Sequence, residues 1–255
     1  MKNTFRTVLT SDFIKRLSVL SLICLLFFFS ACGKEADDSV SSLNDRLLCH
    51  TLYITCNADG AWANGVIFAV TNDDLLILTN RHVADLLAET DFAAYAQAAG
   101  FPAAGGVQSF PSFPVQVFKT AATADLSVLR ADIKELDAAL LDFLKPVSYS
   151  VSAYENLQKG DVLNAFYIDR LDPAGFFYPE GSLGEAVLID KSVPVDGFPE
   201  SMMYLNYLSV KGMSGSGIYD QNGNLVGLLS AGDEKQGTTL AVPLPAVLSF
   251  LDFLP

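Results

Sequence analysis

The sequence predicts an all-β chain of the sandwich or barrel kind, and three observations carry that expectation. Short runs rich in Val, Ile, Leu and Phe recur at regular spacing from Leu47 onward. Turn signals such as Asn57-Ala58-Asp59-Gly60, Thr71-Asn72-Asp73-Asp74 and Asn222-Gly223 separate them. Few stretches carry a sustained helical period. Asp-Gly and Asn-Gly turns between β-branched runs mark hairpins because their residues tolerate positive φ.

In chain order, strands are expected over Cys49–Cys56, Gly65–Val70 and Leu75–Thr79, with a short helix over His82–Leu87. Glu89–Ala99 is Ala-rich and reads as helical, and Pro102–Pro114 reads as a Gly/Pro/Phe-rich loop. Strand character returns at Val115–Phe118 and Leu126–Leu129. Ile133–Leu144 has apolar residues at helical spacing and stops before Pro146, so it is expected to connect two halves. The second half offers strands over Val162–Ile168, Gly184–Ile189, Met203–Val210, Ile218–Tyr219, Leu225–Ser230 and Thr238–Val242. Pro245–Leu254 is expected to close the chain as a helix.

The 255 residues are 51% hydrophobic, enough for one large domain or two small ones sharing a core. The net charge of −13 and the lack of a basic cluster after residue 20 argue against nucleic acid, whose phosphates need clustered Lys and Arg. The basic residues gather instead at the N-terminus, as Lys2, Arg6, Lys15 and Arg16. The 15-residue run Leu17–Ala31 is almost wholly apolar. It suits a signal-peptide core and falls short of the roughly 20 residues that span a bilayer. Residues 1–31 carry net +3 and leave −16 on the remainder. Phe29-Ser30-Ala31-Cys32-Gly33 resembles a bacterial lipobox, although Phe29 stands where Leu is usual. The resemblance implies that Cys32 is acylated and becomes the mature N-terminus. An ordinary signal peptide cut near Ala31 is the alternative. Residues 32–46 are polar and suit a flexible tether. Cys49 and Cys56 are seven apart and would face opposite sides of one straight strand, so a bridge needs a bend between them, and two free thiols are the alternative. No CxxC pair or His cluster suggests a zinc site.

Three segments stand out chemically: Thr79-Asn80-Arg81-His82-Val83, Asp125-Leu126-Ser127-Val128-Leu129 and Gly212-Met213-Ser214-Gly215-Ser216. A serine hydroxyl is a weak nucleophile until a base lies within hydrogen-bond reach. An imidazole can be that base, and a carboxylate can hold its tautomer and orientation. Gly212 and Gly215 allow a turn that aims backbone N–H groups at one point. Taken singly, each segment has a bland reading as a loop glycine, a turn carboxylate or a core histidine.

Together, in this order, they resemble the trypsin-like serine proteases, in particular the bacterial HtrA-type and glutamyl-endopeptidase-like branches. The resemblance extends to Asn64-Gly65-Val66-Ile67 before the histidine, to Asn224–Ser230 after the nucleophile and to Leu240-Ala241-Val242-Pro243. It covers about residues 47–254, loosely over 88–114 and 131–155, and departs at Gly217, where the family usually has proline. It implies two antiparallel six-stranded β-barrels of the chymotrypsin type, about 47–130 and 148–242, joined by 131–147 and followed by a closing helix at 245–254. It also implies a triad of His82, Asp125 and Ser214 and an oxyanion hole from the Gly212 and Ser214 N–H groups. The substrate pocket would be lined by Leu208–Val210, Ser230–Gly232 and Thr238–Leu240, with Ser209, Ser230, Ala231 and Gly232 touching the substrate. No acid sits at the expected pocket base, and Asp233 falls at its rim, so small or medium apolar residues are favoured before the scissile bond. Asp85 is the rival acid on the helix of His82, and His50 is expected to be structural. The chemistry needs no cofactor, and the expected partners are a polypeptide substrate and, through the lipid, a membrane. With no sequence after Pro255 for a PDZ domain, a monomer is expected. A protease fold kept as a binding module, with weak or no turnover, is the alternative function.

Overall fold

The computed structural model describes residues 43–56, 61–88, 94–102, 108–171 and 178–252. The leader, Cys32, most of the tether and the expected turn at 57–60 lie outside the described residues.

After a helical turn at 43–48, six strands build the first barrel. They are β1 (Thr51–Cys56), β2 (Trp62–Val70), β3 (Asp74–Thr79), β4 (Ala94–Ala98), β7 (Ser112–Thr120) and β8 (Ser127–Asp132), closed in the order β1-β2-β3-β8-β7-β4. Two short strands, β5 (Phe101–Pro102) and β6 (Gln108–Ser109), pair with each other. Helix α1 (Arg81–Ala88) follows β3 directly. The barrel is filled by apolar side chains from alternate strand positions, among them Leu52, Ile54, Ile67, Leu75, Ile77 and Leu129, all essentially inaccessible to solvent.

The second barrel closes in the order β10-β11-β14-β13-β12-β9. Its strands are β9 (Val162–Leu171), β10 (Tyr178–Val193), β11 (Met202–Asn206), β12 (Gly217–Tyr219), β13 (Leu225–Asp233) and β14 (Thr238–Pro243). Leu163, Ala165, Leu188, Met203, Leu205, Ile218 and Val226 pack inside it. Between the barrels run a 3₁₀ turn (Ile133–Glu135), α2 (Ala138–Phe143) and α3 (Val151–Asn156). Helix α4 (Leu244–Leu251) closes the described chain, with Pro245 in its first turn, where a missing N–H costs nothing. A small cluster of Tyr53, Ala99 and Ile168, with Trp62 against it, packs β1 and β2 on β9. Among the described residues the ladders of both barrels are antiparallel, and closure gives every barrel strand a neighbour on each side over part of its length.

Several local expectations are corrected. Ala94–Ala98 is strand, not helix: its alanines alternate inward and pair with both β1 and β7, and two ladders outweigh alanine's helix propensity. Within the expected loop 102–114, β7 already begins at Ser112. The single connecting helix over 133–144 is broken at Leu136, and Asp137 caps α2 by accepting from Ala139 N–H. β11 ends at Asn206, four residues before the expected Val210. β10 extends far beyond Gly184–Ile189, because Tyr178–Val187 pairs with β9 in unbroken register and Val187–Val193 pairs with β11 across two register shifts. Cys49 is a free thiol whose Sγ donates to Arg46 O, which removes the disulfide alternative. Among the described residues no helix is long and apolar enough to cross a membrane.

Candidate active site

The site is assembled from three turns that three different local rules build. The first is the entry to α1. Asn80 precedes the helix, accepts Ala84 N–H with its carbonyl, and donates its side-chain amide to Asp125 O at 3.0 Å. Arg81 reaches Ala122 O at 2.9 Å. The start of α1 is therefore stitched to the β7–β8 loop by the two residues before His82, and that loop carries Asp125.

Asp125 faces His82 with both oxygens. His82 Nδ1 lies 3.1 Å from Oδ1 and 3.0 Å from Oδ2, and the His82 backbone N–H donates to Oδ1 at 3.1 Å. The Ser230 hydroxyl donates to Oδ2. Burial by itself raises the Asp125 pKa, but the hydrogen bonds from His82 and Ser230 and the nearby imidazole outweigh it and hold the carboxyl below its ordinary value. The group is thus an ionised acceptor at neutral pH. On the far side of the ring, His82 Nε2 lies 2.9 Å from Ser214 Oγ. With Nδ1–H donated to the carboxylate, Nε2 is left as the acceptor for the serine hydroxyl.

Ser214 sits on two consecutive turns. Met213 N–H donates to Val210 O (3.2 Å) and Ser216 N–H to Met213 O (3.1 Å). The third residue of each turn is a glycine with positive φ, Gly212 at 98° and Gly215 at 81°, which marks both as type II. Side chains are excluded there on steric grounds as well. A Cβ on Gly212 would strike the Trp62 indole, and one on Gly215 would strike Asn64 O. Among the described residues, neither Gly212 N–H nor Ser214 N–H donates to a backbone acceptor.

The remaining predicted residues separate. Ser230 lies at a register shift in the β13–β14 ladder between Leu229 and Ala231, which leaves it unpaired there, and its hydroxyl donates to Asp125. Ser209 is buried and hydrogen-bonded to Thr239 Oγ1 (2.9 Å), and Gly232 lies directly against its hydroxyl. Ala231 and Gly232 continue β13 past Leu229, where β12 no longer pairs with it. Asp233 is exposed and caps the turn after it through Lys235 N–H. Asp85 pairs with Arg81 at 3.5 Å on α1, both side chains being exposed. His50 Nδ1 bonds Lys145 O at 2.8 Å. Beside His82 opens an apolar cavity of about 160 Å³, lined by Ile54, Trp62, Ala63, Val83, Leu86 and Leu87, and reaching Gly212 and Ser214. Asn80, Asn64 and Trp62 were not singled out from the sequence. Asn80 and Asn64 lie beside the motif residues in the chain, but their side-chain partners are distant in sequence.

Residues 63–228 match the family model described as a trypsin-like peptidase domain. A search of curated proteins returns no match. Among solved structures the chain is similar to Deg5, with 18% identity, a TM-score of 0.63 and coverage of 85% of this chain and 93% of that one. It is also similar to an HtrA-type protease, AlgW, solved with a tripeptide, at 18% identity, a TM-score of 0.59 and coverage of 83% and 62%. For Rv3671c from M. tuberculosis the identity is 14%, the TM-score 0.56 and the coverage 82% and 88%. At these identities the solved structures speak for the fold alone.

Proposed function

Since the chain belongs to the trypsin-like peptidase family, we propose that it is a serine endopeptidase working through an acyl-enzyme on Ser214. The observation that carries this reading is the continuous chain Ser214 Oγ, His82 Nε2, His82 Nδ1, Asp125, with links of 2.9 and 3.0 Å. Ser214 Oγ attacks the peptide carbonyl carbon while its proton passes to His82 Nε2. The C–N bond then breaks, the same proton goes to the leaving amine, and the acyl group stays on Ser214 as an ester. Water repeats the sequence and releases the acid. The Gly212 and Ser214 N–H groups stabilise the oxyanion, each such donor being worth on the order of 3 kcal/mol in the transition state.

The substrate strand adds to the part of β13 that β12 leaves unpaired, Ala231–Gly232, by backbone hydrogen bonds. Ser209 and Gly232 border the pocket for the residue before the scissile bond. Ser209 is bonded to Thr239 Oγ1 and lies against Gly232, and on this reading cleavage after Lys or Arg is not expected to dominate. The leaving group must lie on the His82 side to receive its proton, and there the apolar cavity against Trp62 and Leu86 accepts its first side chains. The reading places the enzyme on the outside of a bacterial membrane, in the periplasm or at the cell surface, held by diacylated Cys32. Two acyl chains anchor stably where one is marginal. Ser214→Ala should abolish turnover and leave the fold intact, and a Ser214→Ala protein that still cleaves peptides refutes the mechanism. Cys32→Ser should move the protein to the soluble fraction or block its processing, and unchanged membrane fractionation and mass refute the anchor.

A further inference from the structure

We propose that Asn64 is a positioning residue for the oxyanion-stabilising turn, acting by holding the Gly212 carbonyl against the second barrel. The inference rests on the protease reading above and goes beyond the residues that touch substrate. Asn64 lies in β2 of the first barrel and is fully buried. Its side chain crosses to β9 of the second barrel, where Oδ1 accepts Ile168 N–H at 2.7 Å and Nδ2 donates to Ile168 O at 3.2 Å. Because an N–H of Ile168 must meet oxygen, the amide cannot turn over, and its nitrogen is committed to carbonyls. The second donor of that nitrogen goes to Gly212 O at 3.0 Å.

The main chain of the same residue grips the nucleophile turn from the other side. Asn64 N–H donates to Ser214 O at 2.7 Å, and Asn64 O accepts the buried Thr79 hydroxyl at 2.8 Å. Residue 64 therefore holds the carbonyls of both residues whose N–H groups would bind the oxyanion. This has a specific consequence for the turn Val210–Met213. Types I and II of a four-residue turn share the closing bond from Met213 N–H to Val210 O and differ by a flip of the central peptide, here Lys211–Gly212. That flip would swing Gly212 N–H away from the nucleophile and carry the φ of Gly212 from positive to negative. The flip leaves the Gly212–Met213 peptide in place, so the ties of Met213 N–H to Val210 and of Gly212 O to Asn64 do not choose the turn type; they fix the position from which Gly212 N–H, at a φ of 98°, is aimed. The Asn64 amide is itself immobilised by the Ile168 peptide, so the seating of the two barrels is transmitted to the oxyanion donor through one side chain.

The test compares the native protein with Asn64→Ala and Asn64→Ser, the latter leaving room for water at the Ile168 peptide. Hydrolysis of a peptide ester or amide, a thermal melt and inhibition by a peptide aldehyde are measured on each. The aldehyde's hemiacetal oxygen occupies the oxyanion position, so it reads that site directly. Binding of the uncleaved peptide is measured in the Ser214→Ala background. The expected result is a fall of about 10² in kcat, the scale of one lost oxyanion donor. Aldehyde affinity should fall with it, while KM and uncleaved-peptide binding stay unchanged. Variants as active as the native protein overturn this inference and leave the protease reading standing. Parallel loss of melting temperature, peptide binding and activity, or failure of both variants to fold, assigns Asn64 to docking of the barrels alone and also overturns it. A native protein inert in every assay overturns both readings.

Discussion

Replacing Asp125 by Asn exchanges one carboxylate oxygen for an NH₂ group and leaves the shape, so its effect can be worked from the contacts. The His82 backbone N–H is a fixed donor to Oδ1, which pins the amide oxygen of an asparagine at that position. The NH₂ group then takes the place of Oδ2, against the Ser230 hydroxyl, which can rotate to accept, and 3.0 Å from His82 Nδ1. A donor facing Nδ1 favours the tautomer that carries its proton on Nε2. That proton points at Ser214 Oγ, 2.9 Å away, where the mechanism needs a lone pair. The expected loss is on the order of 10⁴ in kcat, the scale found for the same substitution in a serine protease with this arrangement. At 1.36 kcal/mol per decade this corresponds to about 5.4 kcal/mol. KM and the melting temperature should change little. The control is Asp85→Asn, which removes only an exposed pair with Arg81 worth at most about 1 kcal/mol of stability. The assay is steady-state hydrolysis of a peptide ester at neutral pH. An Asp125→Asn enzyme within tenfold of native, or an inactive Asp85→Asn enzyme, refutes the acid assignment.

Ser230→Ala removes one hydrogen bond to a carboxylate and should lower kcat by about 10- to 10²-fold with KM unchanged, since bonds to charged groups are worth about 1.5–3 kcal/mol; a raised KM with native kcat would return Ser230 to the substrate pocket. Stability should fall as pH drops below about 6.5, because burial holds the His50 pKa below its ordinary value, so the unfolded chain takes up that proton first. Melts from pH 8 to 5 on the native protein and on His50→Asn, which keeps a donor for Lys145 O, should diverge only on the acid side; parallel curves would remove His50 from the account. Peptide-library profiling should show large apolar residues preferred directly after the scissile bond, and Leu86→Asp should weaken that preference without changing the residue preferred before it. A flat profile on that side would mean that the cavity takes no part in recognition.

How much was legible depended on whether the deciding interaction was local. Gly65–Val70, Leu75–Thr79 and Thr238–Val242 announce themselves by β-branched runs between turn residues, and they are strands. Ala94–Ala98 misleads because its alanines favour helix locally, and only pairing with β1 and β7 makes it strand. Of β10 the sequence marks only Gly184–Ile189, because Gly181 and Gly184 weaken the strand signal toward its start. Both are needed small, because a Cβ on them would strike the Phe166 and Tyr207 rings. His82, Asp125 and Ser214 could be picked out because their flanking motifs are distinctive, and the fold brings the three together. The family resemblance implies that Ser230 lines the pocket, whereas its hydroxyl goes to Asp125 at a bulge that leaves no mark in the residue types. The sequence marks Asn64 only as part of Asn64-Gly65-Val66-Ile67, the segment that resembles the family's strand before the histidine. Its amide partners, Ile168 and Gly212, lie 104 and 148 residues away, beyond any spacing rule.

The most direct test of the central claim is covalent labelling of the purified protein by a fluorophosphonate probe, read by mass spectrometry of the digested adduct. A nucleophilic Ser214 beside an unprotonated His82 Nε2 and two oxyanion donors should be phosphonylated stoichiometrically at Ser214, with no label on Ser214→Ala and strongly slowed labelling on His82→Ala. Absence of label on the folded native protein, or label on a serine other than Ser214, would contradict the account and leave the fold as a binding scaffold.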